Sequence, residues 1–137
     1  ARVSSVTRLS TAGDDAIVLP EGSVRLDLFS EHQPDLVLLR PRADFYASQH
    51  AGPGDMLVVI EIADPSIRYG QDVKAPLYAG VGVPEYWLVD LNVNVVWRYS
   101  LPDQDTYRSV EQFHRGQSIA PQLLPTCLIA VDDLLAE

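Results

Sequence analysis

The chain has 137 residues, a length that suits one domain. It carries 19 acidic residues against 10 Lys and Arg, and its formal net charge of -9 at pH 7 argues against a broad basic surface for nucleic acid. Hydrophobic residues make up 47% of the chain, enough for a buried core, while no apolar run is long enough to span a membrane.

The single Cys127 excludes an intrachain disulfide and a multi-cysteine metal site. This cysteine usage fits a reducing, cytoplasmic setting.

Along the chain, the first strand candidate is the apolar run 16–19. Residues 24–28 alternate apolar and polar side chains, the period of a half-buried strand, and the turn signals between the two runs predict a hairpin.

The next segments predict the centre of a sheet. Residues 35–39 are nearly all apolar after the initial acid, which predicts a strand buried on both faces. Prolines and glycines within 41–56 predict a loop with one helical turn. Residues 56–62 give the strongest strand prediction because they are rich in β-branched side chains.

A helix is predicted over residues 71–79. Val73, Leu77 and Val81 recur at the spacing of one helical turn, and Gly80 follows directly after the predicted segment, where glycine commonly ends a helix.

The remaining elements are mostly strands. Strands are predicted at 86–89, 93–99, 107–110 and 117–119, followed by a short terminal helix at 131–136. The order predicts an α+β fold, a curved mixed β-sheet with a helix packed across it and a β-rich C-terminal half. Val95, Trp97 and Tyr99 occupy alternate positions, so they form either a dimer face or the core face of their strand.

Two acids lie in segments predicted to be buried strands. Asp35 begins one of them and Glu61 lies near the end of another. Because side chains alternate along a strand, Leu57, Val59, Glu61 and Ala63 are expected to share one face. A carboxylate on a core face needs a partner or a metal ion. The alternative is that Glu61 reaches solvent at the rim of the sheet.

Lys74 is the only lysine, since the other 9 of the 10 basic residues are Arg. The side chain of Lys is a compact charge whose chemistry differs from that of Arg, which suggests a specific use on the predicted helix. The alternative is an ordinary solvated lysine.

Several stretches resemble a known family. They are 33–35, 57–63, 69–74, 77–79, 82–90, 124–128 and 131–134. Together they look like the Uma-two family, which is classed with the restriction-endonuclease-like proteins of the PD-(D/E)XK superfamily. The GVPEYWLVD stretch at 82–90 is the most specific part. The resemblance covers 24–137, which we take as the nuclease-like domain. It leaves 1–23 as an N-terminal extension, in which the family's first segment is either truncated or lacking in this member.

The resemblance implies a metal-dependent endonuclease. Asp35 and Glu61 match the two motif acids that would hold Mg²⁺ or Mn²⁺, with the backbone carbonyl of Ile62 as a further oxygen ligand. Lys74 would assist the attacking water. The implied substrate is nucleic acid, with DNA expected, the implied assembly is a homodimer, and no membrane association is expected.

The chain departs from the family pattern at three places. The superfamily's Lys normally lies two residues after the Glu, where this chain has Ala63. An acidic residue often follows the Tyr at position 69, where this chain has Gly70; either Asp72 offsets this loss or the site is weaker. Residues 1–23 also lack the family's helical N-terminal segment.

Four further residues are candidates for supporting roles. Gln33 precedes the motif Pro-Asp and would position a phosphate or water, and Arg68 is the best candidate for a phosphate contact, each against an ordinary surface role. Tyr78 lies one turn after Lys74 and either hydrogen-bonds the site or packs. Glu85 either borders the cleft or faces solvent, while the aromatic residues that follow it are expected to be packing anchors.

Two other functional classes remain open at this stage. The first is a nuclease-fold module with weak or no activity that acts in protein interaction or dimerisation, which the net charge of -9 favours. The second is an enzyme that uses the same metal site on a small ligand or nucleotide.

Overall fold

A computed structural model describes residues 17–20, 36–40, 53–63 and 70–135 of the chain. The strands are β1 (Ile17–Pro20), β2 (Leu36–Leu39), β3 (Met56–Ala63), β4 (Glu85–Asp90), β5 (Val95–Asp103), β6 (Thr106–His114), β7 (Ser118–Ile119) and β8 (Ile129–Ala130). The helical elements are a 3₁₀ turn (Pro53–Asp55), a π-helical turn (Gly70–Lys74), α1 (Ala75–Gly80) and α2 (Val131–Leu135). The predicted strand 24–28 and most of the predicted loop and N-terminal extension lie outside the described residues.

Within the described residues, the first six strands form one sheet in the order β1-β2-β3-β4-β5-β6, and β7 pairs with β8. β3 and β4 run parallel, while the other described pairs are antiparallel. A parallel pair needs a crossover connection, and the π-helical turn and α1 lie in that connection. The predicted fold class, an α+β mixed sheet with a helix packed across it, is confirmed.

The two central strands carry the buried core. All four residues of β2 are buried, as their apolar run predicted, and β3 follows its prediction closely. Leu36 pairs with Ile60, so the start of β2 lies beside the end of β3. The register shifts between Leu38 and Leu39, and an irregularity of this kind disturbs strict alternation.

Two clusters of side chains cover the opposite faces of the sheet. The α1 face, on which α1 packs, has Val37, Leu39, Met56, Val59, Ala63, Ala75, Tyr78, Ala79, Val83, Tyr86, Leu88 and Tyr107. The C-terminal face, covered by the end of the chain, has Leu36, Leu38, Leu57, Val58, Ile60, Trp87, Val89, Val96, Ile119, Ile129, Val131, Leu134 and Leu135. The expectation that Leu57 shares a face with Val59 is therefore wrong, because the register shift turns it to the C-terminal face.

The helix lies where it was predicted, but the apolar row that predicted it does not face the core. Its apolar row is exposed: 48% of Val73, 42% of Leu77 and 36% of Val81 are accessible. Lys74 and Tyr78 are buried instead, with small alanines beside them. The small alanine side chains let the helix approach the sheet closely. There Lys74 and Tyr78 contact the carboxylate of Glu61.

The β5–β6 hairpin is longer than predicted, and its inner face belongs to the core. Val95 is buried, and Trp97 and Tyr99 pack against the α1 face. Of the two predicted alternatives for these residues, the core face is therefore the correct one.

None of the helices among residues 17–20, 36–40, 53–63 and 70–135 has the length and hydropathy required to cross a membrane.

Ser100 offers a direct test of this packing. Its side chain is fully buried, and its Oγ has no hydrogen-bond partner among the residues that the structure describes. An unsatisfied buried hydroxyl destabilises a fold, so we expect Ser100→Ala to raise the free energy of unfolding by about 1 kcal/mol in urea denaturation. Ser109→Ala, on the paired strand and only half-buried, serves as the control and should change stability little. A loss of stability in Ser100→Ala would contradict this packing.

Candidate active site

Glu61 is a carboxylate held on the α1 face. It lies near the end of β3, between Val59 and Ala63, both of which belong to the apolar cluster on that face. Its side chain is only 13% exposed. A carboxylate this shielded from water must be compensated by hydrogen bonds or opposite charge.

Three donors provide that compensation. Lys74 Nζ lies 3.0 Å from Glu61 Oε2, and the Tyr78 hydroxyl donates to the same oxygen at 2.9 Å. The Tyr86 hydroxyl donates to Oε1 at 2.9 Å. Both oxygens of the carboxylate are therefore engaged, and its orientation is fixed from two sides.

Helical spacing and strand pairing together place these donors. Lys74 ends the π-helical turn and Tyr78 lies one helical turn later in α1, so both side chains point from the same face toward the sheet. Tyr86 pairs with Val59 across the parallel strands, on the same face as Glu61 and one row away. The crossover from β3 to β4 therefore places all three donors around one carboxylate.

Charge and burial strengthen this arrangement. The Lys74 side chain is 8% exposed, so its ion pair with Glu61 is much less screened than a surface pair. Lys74 Nζ also lies 5.8 Å from the centre of the Tyr78 ring. Burial, followed by the negative charge of Glu61, raises the pKa of Tyr86. The Tyr86 phenol therefore stays protonated and acts as a donor.

The structure brings together only part of the predicted site. Glu61, Lys74 and Tyr78 meet, and Lys74 is buried rather than solvated. Asp35, Gln33 and Arg68 lie outside the described residues. Ile62 is described, and its side chain packs against the C-terminal face, as expected for the neighbour of Glu61 on a strand.

Tyr86 is the residue that sequence reasoning missed, because it was expected to be a packing anchor. It does pack, with ring centroids 5.0 Å from Tyr78 and 5.7 Å from Tyr99, but its hydroxyl also reaches Glu61. The signal that reveals it is alternation. Once β4 is aligned in parallel with β3, Tyr86 falls on the face of Glu61 and Glu85 falls on the other.

Glu85 is therefore not at the cleft beside Glu61. It is 1% exposed on the C-terminal side of the sheet, where Trp87 Nε1 donates to its Oε1 at 2.8 Å and the backbone N–H of Gln122 donates to its Oε2. On that face Arg98 binds Glu111 and the carbonyl of Ala120. Through its hydrogen bond with the Gln122 backbone, Glu85 thus holds the C-terminal segment against the sheet.

Metal binding at Glu61 requires ligands beyond those described. Within residues 17–20, 36–40, 53–63 and 70–135, no group of three or more His, Cys, Asp or Glu side chains is placed to hold an ion. The carboxylate oxygens of Glu61 are nevertheless the donor type that Mg²⁺ and Mn²⁺ prefer.

Comparison with known proteins identifies the family. A family model described as "Uma2: Putative restriction endonuclease" matches residues 4–132, nearly the whole chain. The chain belongs to the Uma2 family. This membership supports a nuclease function, and restriction-endonuclease-like proteins generally use divalent metal ions.

A solved structure shares the fold of this Uma2 chain. It is the crystal structure from Anabaena variabilis ATCC 29413 titled as "a putative nuclease belonging to DUF820". The TM-score is 0.68 at 18% sequence identity, and the match covers 98% of this chain and 77% of that one. A search of curated proteins found no match to the chain.

Glu85 of this Uma2 chain is expected to make stability depend on pH. Burial raises its pKa above the ordinary value of 4.5, against the opposing effects of the Trp87 and Gln122 hydrogen bonds. The folded chain then binds the proton more tightly than the unfolded chain. The contribution of Glu85 to stability is therefore full below pH 4.5 and is lost as pH rises through the raised pKa.

Glu85→Gln removes this titration. We expect the unfolding free energy of the wild type to fall relative to that of Glu85→Gln as pH rises from below 4.5 toward neutrality, measured by urea denaturation at several pH values. The substitution also replaces one acceptor oxygen by a donor, which costs about 1–3 kcal/mol at every pH. A stability gap that is the same at all pH values would contradict the expected titration.

Proposed function

We propose that this Uma2 protein is a metal-dependent endonuclease that hydrolyses phosphodiester bonds of DNA. The observation that carries the proposal is the buried contact between Lys74 Nζ and Glu61 Oε2 at 3.0 Å, in a chain that matches the family model described as "Putative restriction endonuclease". A lysine that only solubilised the helix would point to water. Lys74 is instead held beside the Glu61 carboxylate, and in this position the two side chains would act together on a phosphate.

Asp35, Glu61 and the carbonyl of Ile62 are the proposed ligands of a Mg²⁺ or Mn²⁺ ion. Strand pairing supports the first two as partners, because Leu36, which follows Asp35, pairs with Ile60, which precedes Glu61. The donor set also fits, since all of these ligands are oxygens. When bound, the ion would lower the pKa of a water molecule and neutralise charge on the phosphate.

Lys74 and Tyr78 have distinct proposed roles. Lys74 would orient the attacking water and stabilise the negative charge that develops on the phosphate. Tyr78 would hold the Glu61 carboxylate in place through its hydrogen bond at 2.9 Å. Because both side chains come from one buried face of the helix, the site is organised before any ligand arrives.

Nucleic acid would be bound despite the net charge of -9. A bound divalent ion would neutralise the charges of the two carboxylates, and the ammonium of Lys74 beside Glu61 would then leave a positive centre facing the phosphate. We propose Arg68 and Gln33 as further phosphate contacts and a homodimer as the working unit, since two strands of DNA must be cut.

Cleavage of supercoiled plasmid tests the proposal. We expect Glu61→Gln and Asp35→Asn to abolish Mn²⁺-dependent cleavage because each loses a ligand charge. Lys74→Met should reduce cleavage by about 100-fold or more, in the range that a positioned catalytic group contributes. Isothermal titration with Mn²⁺ separates the roles. Binding should be lost in Glu61→Gln and kept in Lys74→Met, which removes a positive charge from the site.

Glu111→Gln is the matched control for Glu61→Gln. Glu111 also binds a basic residue, Arg98, but its side chain is 44% exposed and lies on the opposite face of the sheet. Its substitution should leave cleavage unchanged. If purified wild-type protein and the Glu61 and Lys74 variants all cleave equally, the activity does not arise here, and the protein-interaction module becomes the better account.

A further inference from the structure

The three donors divide unequally between the two oxygens of Glu61. Oε2 accepts from both Lys74 and Tyr78, whereas Oε1 accepts from Tyr86. A carboxylate has about four acceptor positions, two on each oxygen. Counting the donors that the described part of the chain provides, both positions of Oε2 are filled and Oε1 retains one position.

We infer that Tyr78 determines which divalent ions the site accepts, by closing Oε2 and leaving Oε1 as the one oxygen that Glu61 presents. The inference rests on the proposed metal site and adds to it a preference among ions. A carboxylate with one closed oxygen can act only as a single-oxygen ligand. Chelation of an ion through both oxygens requires an open position on each.

Ion chemistry converts this difference into selectivity. Ca²⁺ takes six to eight oxygen ligands and commonly chelates a carboxylate through both oxygens, whereas Mg²⁺ keeps an octahedral shell with several waters and needs only single-oxygen contacts. Because Glu61 presents a single open oxygen, it favours the smaller ion, Mg²⁺, over Ca²⁺. In this account Tyr78 is a positioning residue that acts through Glu61.

The surroundings of Tyr78 suit such a role. Its side chain is fully buried, and its ring lies 5.0 Å from the Tyr86 ring, so the hydroxyl is held rather than free to rotate away. Lys74, one helical turn earlier, donates to the same oxygen from the same helix.

Tyr78→Phe is the deciding variant, and Tyr86→Phe is its matched control. Each removes one buried phenol oxygen that donates to Glu61 at 2.9 Å, but from different oxygens of the carboxylate. The measurement is the ratio of the Ca²⁺ and Mn²⁺ dissociation constants from isothermal titration calorimetry. We expect Tyr78→Phe to shift the ratio toward Ca²⁺ by about tenfold, the scale of one charged hydrogen bond. Tyr86→Phe leaves Oε2 closed and should leave the ratio unchanged.

Two further variants keep the test decisive. Tyr107→Phe removes a buried hydroxyl that donates to the carbonyl of Val83 at 2.7 Å. It therefore measures how the ratio of dissociation constants responds to the loss of a buried phenol hydroxyl that does not contact Glu61. Lys74→Met opens the same oxygen as Tyr78→Phe and should shift the ratio in the same direction, which covers the case in which Tyr78→Phe does not fold.

The outcomes separate this inference from the proposed function. If wild-type protein binds neither Mn²⁺ nor Ca²⁺, the proposed metal site fails and the inference fails with it. If wild-type protein binds Mn²⁺ and the ratio is unchanged in both Tyr78→Phe and Lys74→Met, the metal site stands and the inference is overturned. Equal shifts in Tyr78→Phe and Tyr86→Phe would also overturn it, because they would show no difference between the two oxygens.

Discussion

The structure depends on a carboxylate placed where a side chain of the apolar core would otherwise be. Burying an unpaired charge would cost several kcal/mol, which is a large share of the stability of a domain this size. Glu61 avoids most of that cost because one ammonium and two phenols surround it. Since two of these donors come from the crossover and one from the next strand, the carboxylate links the helix to the parallel pair of strands.

This constraint explains which face of the helix is buried. Sequence periodicity predicted a helix here because Val73, Leu77 and Val81 recur at one-turn spacing, yet that row is exposed. The buried row is chosen by a partner on a strand more than ten residues away, and local pattern does not contain that information. The central strands were easier to predict, since a continuous apolar run such as that of β2 needs burial on both faces whatever its neighbours are.

The candidate site, like the fold, was predicted from the sequence only in part. Glu61 and Lys74 stand out as an acid in an apolar strand and the sole lysine, and the family resemblance joins them. Glu85 was expected at the cleft or in solvent and Tyr86 was expected only to pack, whereas Glu85 is buried on the other face and the Tyr86 hydroxyl reaches Glu61. Adjacent strand residues point to opposite faces, and the sequence does not say which face holds the site. The register of β4 against β3 decides it, and that register is a tertiary property.

Anomalous diffraction from crystals grown with Mn²⁺ tests the central claim most directly. The account predicts a peak about 2 Å from Glu61 Oε1, shared with a carboxylate oxygen of Asp35, with Tyr78 still bound to Oε2. Crystals at saturating Mn²⁺ that show no peak beside Glu61, with Lys74 and both tyrosines still engaged on its oxygens, would contradict it.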